Sequence, residues 1–220
     1  MAGLITGLEP ETVRAATARV RAEIDDAARR AGRDPAGVEL LAAVKYVALE
    51  EVGVLAEAGL TLVGENRAQE LEAKATAHPE LRWHFIGQLQ SRKVRQILPF
   101  AELIHSVASD SALRQLERHG TPETEILVEV NVAGEEGKAG IAPEALAAFI
   151  ERAPVRVGGL MTMPPFSEVA EDSRRHFAAL RELAEAHGLA RLSMGTSQDF
   201  AVAVEEGATI VRVGSRLYGA

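Results

Sequence analysis

The chain has 220 residues, a length at which α/β barrels form one domain, and 47% of them are hydrophobic, which is enough to bury a core. Its formal net charge of −8 argues against nucleic acid or an anionic membrane as the main partner, because both attract basic surfaces. Cysteine is absent, which excludes disulfides, thiolate metal sites and cysteine nucleophiles.

Hydrophobic periodicity predicts one long helix, followed by short strands that alternate with helices. The first helix covers residues 9–32, and we expect residues 1–37 to pack on the rest of the chain. The predicted strands are 39–44, 61–63, 82–86, 102–107, 125–130, 155–161, 191–194 and 209–213. The predicted helices between them are 49–58, 68–77, 91–98, 111–118, 143–152, 168–187 and 198–206.

Eight strands separated by helices indicate an α/β fold, either a closed parallel (β/α)8 barrel or a doubly wound open sheet. The number of strands favours the barrel, and no GxGxxG motif follows an early strand. We therefore expect a single-domain (β/α)8 TIM-type barrel over residues 1–220, with an additional N-terminal helix. In this fold the active site lies at the carboxyl ends of the strands, and the loops after strands seven and eight commonly bind phosphate.

The predicted strand ends carry residues that suit such a site. Lys45 ends the first strand inside the apolar run "LLAAVKYVAL", where it either extends out of the barrel or acts as a desolvated amine nucleophile. Ser197 follows the seventh strand and is a good N-cap for the next helix, and Gly214 and Ser215 follow the eighth. Glycines, hydroxyls and a helix N-terminus together favour a phosphate.

A lysine and a phosphate site at one barrel end predict a phosphorylated carbonyl compound bound as a Schiff base. Two ligands fit, pyridoxal 5'-phosphate and a sugar phosphate in an aldolase. Arg212 precedes the phosphate loop in "TIVRVG", where its charge needs a planar or anionic partner. An arginine that faces a pyridine nitrogen would satisfy this need, which favours pyridoxal 5'-phosphate.

Several stretches also resemble one known family, the pyridoxal phosphate homeostasis proteins, which are single-domain relatives of the alanine racemase barrel with fold type III. These stretches are "AVKYV", "VGENRAQE", "WHFIGQLQSRK", "VEVNVAGEEGKAG", "GGLMTMPP" and "LSMGTSQDFAVAVEEGATIVRVGSRLYG". The resemblance implies an internal aldimine on Lys45. It further implies that Arg212 faces the pyridine nitrogen, that Ser197, Gly214 and Ser215 hold the phosphate, and that Asn66, His84 and Met194 line the ring.

Four residues, at three places in the chain, depart from the family pattern. Val44 and Tyr46 flank Lys45 where such proteins commonly have serine and threonine. Arg92 precedes Lys93 where they usually have asparagine, and Ser215 stands where threonine is frequent. None of these departures removes a residue that the resemblance assigns to the cofactor, although Tyr46 could alter access to Lys45.

The resemblance implies a pyridoxal 5'-phosphate-binding protein of cofactor homeostasis or delivery, without robust catalytic turnover. The alternatives are an amino acid racemase that uses the same lysine and, outside the family, the aldolase. Two-domain racemases take a second base, a tyrosine, from an additional β domain. Few residues follow the eighth predicted strand and the only tyrosines are Tyr46 and Tyr218, so we expect no such domain. Arg212 cannot protonate a ring nitrogen, which weakens the cofactor as an electron sink.

The sequence lacks the patterns of a metal site and of a membrane span. The six histidines are scattered without a metal-ligand spacing, and no apolar run approaches the ~20 residues that span a bilayer. We expect no metal, a cytoplasmic monomer, and amino acids and pyridoxal phosphate-dependent apoenzymes as partners. Glu65 and Glu70 could form a carboxylate pair for acid–base work, but we expect them to be charged partners of Lys74 or Arg67.

Overall fold

The computed structural model describes residues 3–218, in which eight parallel strands form a closed barrel. Each strand pairs with the next, and the eighth pairs with the first, with Leu41 opposite Arg212. The strands are β1 (Glu39–Ala43), β2 (Leu62–Glu65), β3 (Arg82–Phe85), β4 (Leu103–Val107), β5 (Glu125–Glu129), β6 (Arg156–Met161), β7 (Arg191–Ser193) and β8 (Ile210–Val213). The predicted barrel is confirmed.

Helices surround the barrel. They are α1 (Pro10–Arg30), α2 (Val52–Glu57), α3 (Ala68–Ala77), α4 (Val94–Ile97), α5 (Asp110–His119), α6 (Leu146–Glu151), α7 (Arg174–Ala186), α8 (Phe200–Glu205) and α9 (Ser215–Tyr218). Short 3₁₀ turns begin four of the predicted helices, at Leu49–Glu51, Ser91–Lys93, Pro143–Ala145 and Ala170–Ser173, and a fifth covers Pro35–Gly37. The sequence did not predict α9, because four residues are too few to show helical periodicity.

The strands bury side chains on both faces, as parallel strands in a barrel do. A small apolar cluster fills the barrel interior and consists of Leu41, Leu62, Leu103, Leu127, Met161 and Ile210. A larger cluster lies between the strands and the helices, and the side chains that alternate with the interior ones, such as Trp83 and Phe85, belong to it. This division leaves the interior positions near the two strand ends for polar residues.

Ion pairs close the amino end of the barrel. Arg82 lies 2.9 Å from Glu39 and 3.0 Å from Glu102, and Arg191 lies 3.1 Å from Glu125. These side chains are partly exposed, so each pair contributes little, roughly 0–1 kcal/mol. The opposite, carboxyl end of the barrel is the one that can carry a site.

The N-terminal segment packs on the barrel. Helix α1 buries Val13, Val20 and Ile24 and contacts α8 and α9. Before α1, Ile5 forms a β-bridge to Val47, and the carboxylate of Glu51 accepts hydrogen bonds from the amides of residues 7 and 8. None of the helices within residues 3–218 is both long and apolar enough to cross a membrane.

Candidate functional site

Lys45 lies in a tight turn immediately after β1. The turn is closed by a 3.0 Å hydrogen bond from Val47 N to Val44 O, and both of its central residues, Lys45 and Tyr46, are exposed. Lys45 Nζ lies 5.1 Å from the centre of the Tyr46 ring, within cation–π range. The Lys45 side chain is therefore exposed at the barrel mouth and is not desolvated among the described residues.

The Lys45 amine is the one lysine amine without a polar partner among residues 3–218. The chain has four lysines. Lys74 Nζ lies 2.8 Å from Glu65, Lys93 Nζ donates to Gln96 at 3.2 Å, and Lys138 Nζ pairs with Glu135. The Lys45 amine has neither a carboxylate partner nor a hydrogen bond that must break before it reacts. Lys45 is therefore the lysine best placed to react with a carbonyl compound.

The loops after β7 and β8 meet at the mouth. Gly214 N donates to Ser197 Oγ at 3.1 Å, and Arg212 N donates to Gly195 O at 3.0 Å. Gly195 has φ +88°, and a Cβ there would lie 2.5 Å from Ala203 Cβ, so the turn and the packing of α8 both require glycine. The structure thus brings together the two loops that the sequence predicted to hold a phosphate.

The prediction that Ser197 caps the following helix is wrong. Helix α8 begins at Phe200, and Asp199 occupies the N-cap position. The Asp199 carboxylate accepts hydrogen bonds from Thr196 N at 2.7 Å and Thr196 Oγ1 at 3.1 Å, which stabilises a turn ahead of the helix and delays its start. The Ser197 hydroxyl is therefore bound to Gly214 rather than to a helix N-terminus. Ser215, the first residue of α9, is exposed.

Arg212 projects from β8 into the barrel and is 6% exposed. Its guanidinium donates to Ser193 Oγ, to Thr162 O at 3.1 Å and to Met163 Sδ at 2.8 Å. Two of its five N–H groups, on Nε and Nη1, have no acceptor among residues 3–218. Burial lowers the pKa of Arg212 to about 10, while Asp199 and Glu129 oppose the shift, so the group is charged at neutral pH.

A buried chain of hydrogen bonds continues from Arg212 across the barrel. His105 Nδ1 lies 2.8 Å from Ser193 Oγ, and His105 Nε2 lies 3.0 Å from His84 Nδ1. Arg212 only donates, and the Ser193 proton has no other acceptor within the described residues, so it goes to His105 Nδ1. His105 then carries its proton on Nε2 and donates to His84. The network therefore assigns the Nε2–H form to both rings.

Both histidines are uncharged near neutral pH. Burial, reinforced by the charges of Arg82 and Arg191, lowers the pKa of His84 to about 3. Burial also lowers the pKa of His105 well below its usual value, and His84 and Arg212 add to that shift. The two histidines are 21 positions apart in the sequence and form no sequence motif. They meet because they lie on the adjacent strands β3 and β4. Neither ring can supply a proton at physiological pH.

Asn66 follows β2 and lies beside the loop that follows β3. A Cβ at Gly87 would lie 2.1 Å from Asn66 O, so glycine is needed for the two loops to approach each other. Asn66 Oδ1 is buried and has no hydrogen-bond partner among the described residues. A buried carbonyl oxygen without a partner is costly, so this atom suits a ligand that donates a hydrogen bond.

Two further predicted ring contacts are deeply buried. Met194 is 0% exposed and belongs to the large apolar cluster, and His84 is 1% exposed with Nδ1 bound to His105. No sequence pattern indicated Ser193, His105, Met163 or the Thr162 carbonyl as part of the site. Alternation along β4 and β7 could have placed the first two in the interior, but not their contacts with Arg212.

The chain is similar to known proteins in both sequence and fold. The family described as alanine racemase, N-terminal domain, matches residues 16–220. The chain is 42% identical over 216 residues to the pyridoxal phosphate homeostasis protein of Aquifex aeolicus, covering 91% of this chain and 95% of that one. Identity to the protein of the same name from Pseudomonas aeruginosa is 43%, covering 92% and 93%. The structure of PipY from Synechococcus elongatus with PLP bound superposes with a TM-score of 0.77 at 30% identity, covering 94% and 100%.

Proposed function

This chain belongs to the alanine racemase N-terminal domain family and, within it, to the pyridoxal phosphate homeostasis proteins, and from this premise we infer that it binds pyridoxal 5'-phosphate and serves in the homeostasis of that cofactor. The observation in the structure that carries the inference is the unpaired Lys45 amine at the same barrel end as the joined loops after β7 and β8. The cofactor supplies an aldehyde that reacts with amines.

We further propose which residues hold the cofactor. Lys45 is the attachment residue, because its amine is exposed and has no polar partner within residues 3–218. Arg212 orients the ring through its remaining N–H groups, and as a pure donor it leaves a ring nitrogen unprotonated. The unpartnered Asn66 Oδ1 can accept a hydrogen bond from a ring hydroxyl. The groups that bind the phosphate are Ser197, Gly214 and Ser215. His84 supports the ring from the barrel interior, and Met194 supports it only indirectly, from the layer between the strands and the helices.

The proposed partners follow from the exposure of the mouth. Because Lys45 lies on the surface, small amines such as amino acids can approach the attached aldehyde carbon, and so can the active-site lysine of an apoenzyme. We propose that the chain transfers its cofactor to apoenzymes in this way, as a cytoplasmic monomer. Light scattering of the purified protein tests whether its molar mass is that of a monomer. Activation of an apoenzyme by the cofactor-loaded protein tests the transfer.

The phosphate loops give one prediction. Ser197→Ala combined with Ser215→Ala should weaken the affinity for pyridoxal 5'-phosphate about 100-fold or more, because each lost charge-assisted hydrogen bond contributes about 1.5–3 kcal/mol. The affinity for pyridoxal, which lacks the phosphate, should not change. Spectroscopic titration of the apoprotein with each compound measures both values.

The matched control replaces two exposed hydroxyls outside the mouth. Thr61 precedes β2 at the amino end of the barrel, and Thr76 lies in the last turn of α3. Thr61→Ala combined with Thr76→Ala should leave both affinities unchanged. An equal loss of affinity for pyridoxal and for its phosphate in the serine variant would place the phosphate elsewhere.

A second prediction separates a carrier from a racemase. Exchange of the L-alanine α-proton with deuterated water should stay far below the ~1–10³ per second of working enzymes. His84 is buried and, with a pKa of about 3, is a weak base whose Nδ1 lone pair accepts from His105. Burial, with the charge of Glu65 adding, raises the pKa of Tyr218, whose hydroxyl donates to Ala43 O at 3.2 Å and stays protonated. Neither group can serve as a second base.

The exchange is measured by NMR for the loaded protein and for free pyridoxal 5'-phosphate at the same concentration. The variant Tyr46→Phe is the control, because Tyr46 is the tyrosine exposed beside Lys45. Exchange at enzymatic rates that disappears in Tyr46→Phe would make Tyr46 the second base and the protein a racemase.

A further inference from the structure

A buried ion pair lies beside the mouth and has no part in the function described so far. Lys74 Nζ lies 2.8 Å from Glu65 Oε2, and the two side chains are 1% and 0% exposed. The sequence prediction that Glu65 is a charged partner of Lys74 is confirmed, and Glu70 lies 3.7 Å from the same ammonium. Burying two charges costs free energy, and apolar residues of similar volume often stabilise a protein as well or better. Stability alone therefore does not explain this pair.

The contacts of Lys74 lead to the turn that carries Lys45. Lys74 Nζ donates to Val44 O at 2.9 Å, across 30 residues of sequence. The same carbonyl accepts from Val47 N at 3.0 Å and so closes the turn whose central residues are Lys45 and Tyr46. One oxygen atom thus joins the turn to α3. A shift of the Lys74 ammonium would change the orientation of the turn, and with it the direction in which Lys45 leaves the backbone.

The contacts of Glu65 lead to the second mouth residue. Glu65 Oε1 accepts from Asn66 N at 2.7 Å and from Arg67 N at 3.2 Å, while Oε2 binds Lys74. The carboxylate therefore fixes the peptide of Asn66 at the point where the chain leaves β2 for α3. Apart from the exposed Glu70, the pair makes its polar contacts within residues 3–218 to backbone atoms that lie within two residues of Lys45 or Asn66.

We propose that Glu65 and Lys74 are positioning residues that set the direction of Lys45 and the placement of Asn66 for the cofactor. This inference rests on the proposed function. Attachment forms a carbon–nitrogen double bond between the neutral Lys45 amine and the cofactor aldehyde and releases one water, with no change of oxidation state. Lys74 takes no part in that bond, but it holds the turn in which the reacting amine can reach the aldehyde carbon.

The test removes the tie to Lys45 and keeps the tie to Asn66. In the variant Glu65→Gln/Lys74→Met, the glutamine oxygen can still accept the two amide hydrogen bonds, and no buried charge is left unpaired. We expect attachment of pyridoxal 5'-phosphate, followed by visible absorbance after mixing with apoprotein, to be about 10- to 100-fold slower. The affinity for 4-deoxypyridoxine 5'-phosphate, which lacks the aldehyde, should be unchanged.

The control makes the corresponding substitutions in an ion pair at the opposite end of the barrel, Glu39→Gln/Arg82→Met. This control should attach the cofactor at the wild-type rate. If urea titrations show that the double variant does not fold, Glu65→Gln/Lys74→Leu takes its place, because it also leaves no buried charge without a partner and differs only in the shape of the apolar side chain. A wild-type attachment rate in a folded variant would overturn the inference. So would an equal loss in the control, or a parallel loss of affinity for the deoxy compound.

Failure of the proposed function looks different. If the wild-type protein forms no bond with pyridoxal 5'-phosphate, the function itself is wrong and the inference falls with it. If the wild-type protein attaches the cofactor and the Lys74 variants do so equally fast, the positioning inference alone is wrong.

Discussion

Replacing Lys45 by alanine is expected to abolish covalent attachment of pyridoxal 5'-phosphate. Of the four lysine amines, that of Lys45 is exposed and has no polar partner within the described residues, whereas the Lys74 amine is buried against Glu65 and the Val44 carbonyl. After reduction with borohydride, mass spectrometry of the wild-type protein should find one pyridoxyl group, on the peptide that contains Lys45. The Lys45→Ala variant should carry none.

Lys93→Ala is the matched control. Lys93 is partly exposed and its amine donates to Gln96, so its removal should leave the reduced adduct and its position unchanged. Noncovalent binding of the cofactor to Lys45→Ala should persist, because the phosphate loops after β7 and β8 do not depend on that side chain. A pyridoxyl group on Lys74, Lys93 or Lys138 in the wild-type protein would contradict the assignment.

The two buried histidines are expected to make the protein sensitive to acid. The pKa of His84 is about 3 and that of His105 is well below normal in the folded protein, whereas both titrate near ~6.5 in an unfolded chain. The stability that the two neutral histidines contribute is therefore fully present above that pH. It is lost as the pH falls, because protons bind to the histidines of the unfolded chain before they bind to those of the folded protein. Each histidine should lower the free energy of unfolding by about 1.4 kcal/mol per pH unit between about pH 6 and pH 4.

Urea unfolding at several pH values measures this slope. His84→Gln combined with His105→Gln should reduce the slope by the amount that the two histidines contribute, since glutamine does not titrate. The exposed His119 provides the control variant His119→Gln, which should retain the wild-type slope. A wild-type slope in the double variant would mean that the buried rings are protonated in the folded protein, and imidazole ¹⁵N shifts would show this directly.

Much of the fold followed from the sequence. All eight strands lie where the period of apolar residues predicted them, and their ends differ by only a residue or two, because strand and helix periodicities differ clearly in alternating units. The 3₁₀ turn Leu49–Glu51 was not distinguished from the helix that follows it, since three residues are too few to show a period different from that of an α-helix. The start of α8 was misplaced because Ser197 and Asp199 both suit a helix N-terminus, and only the contacts of Thr196 decide between them.

The site was predictable in its outline and not in its connections. Lys45, Gly214 and Ser215 were chosen as candidates because they lie at strand ends, where active sites of this fold lie. The hydrogen bond between His105 and Ser193 joins residues 88 positions apart, and that from Lys74 to Val44 O depends on how far one side chain reaches across a helix–strand contact. Such contacts depend on the three-dimensional packing and leave no local pattern in the sequence.

The N-terminal segment contacts the Lys45 turn, so a label on this segment can report on cofactor binding at the barrel mouth. Ile5 N donates to Tyr46 O at 2.7 Å, and Ala48 N donates to Ile5 O at 3.1 Å, so residue 5 is bound to the Lys45 turn at Tyr46 and just after it at Ala48. Its neighbour Leu4 is 69% exposed. Because the chain contains no cysteine, Leu4→Cys would introduce a single thiol for labelling with an environment-sensitive dye. A fluorophore at that position would be a sensor of cofactor loading that leaves every residue of the barrel mouth unaltered.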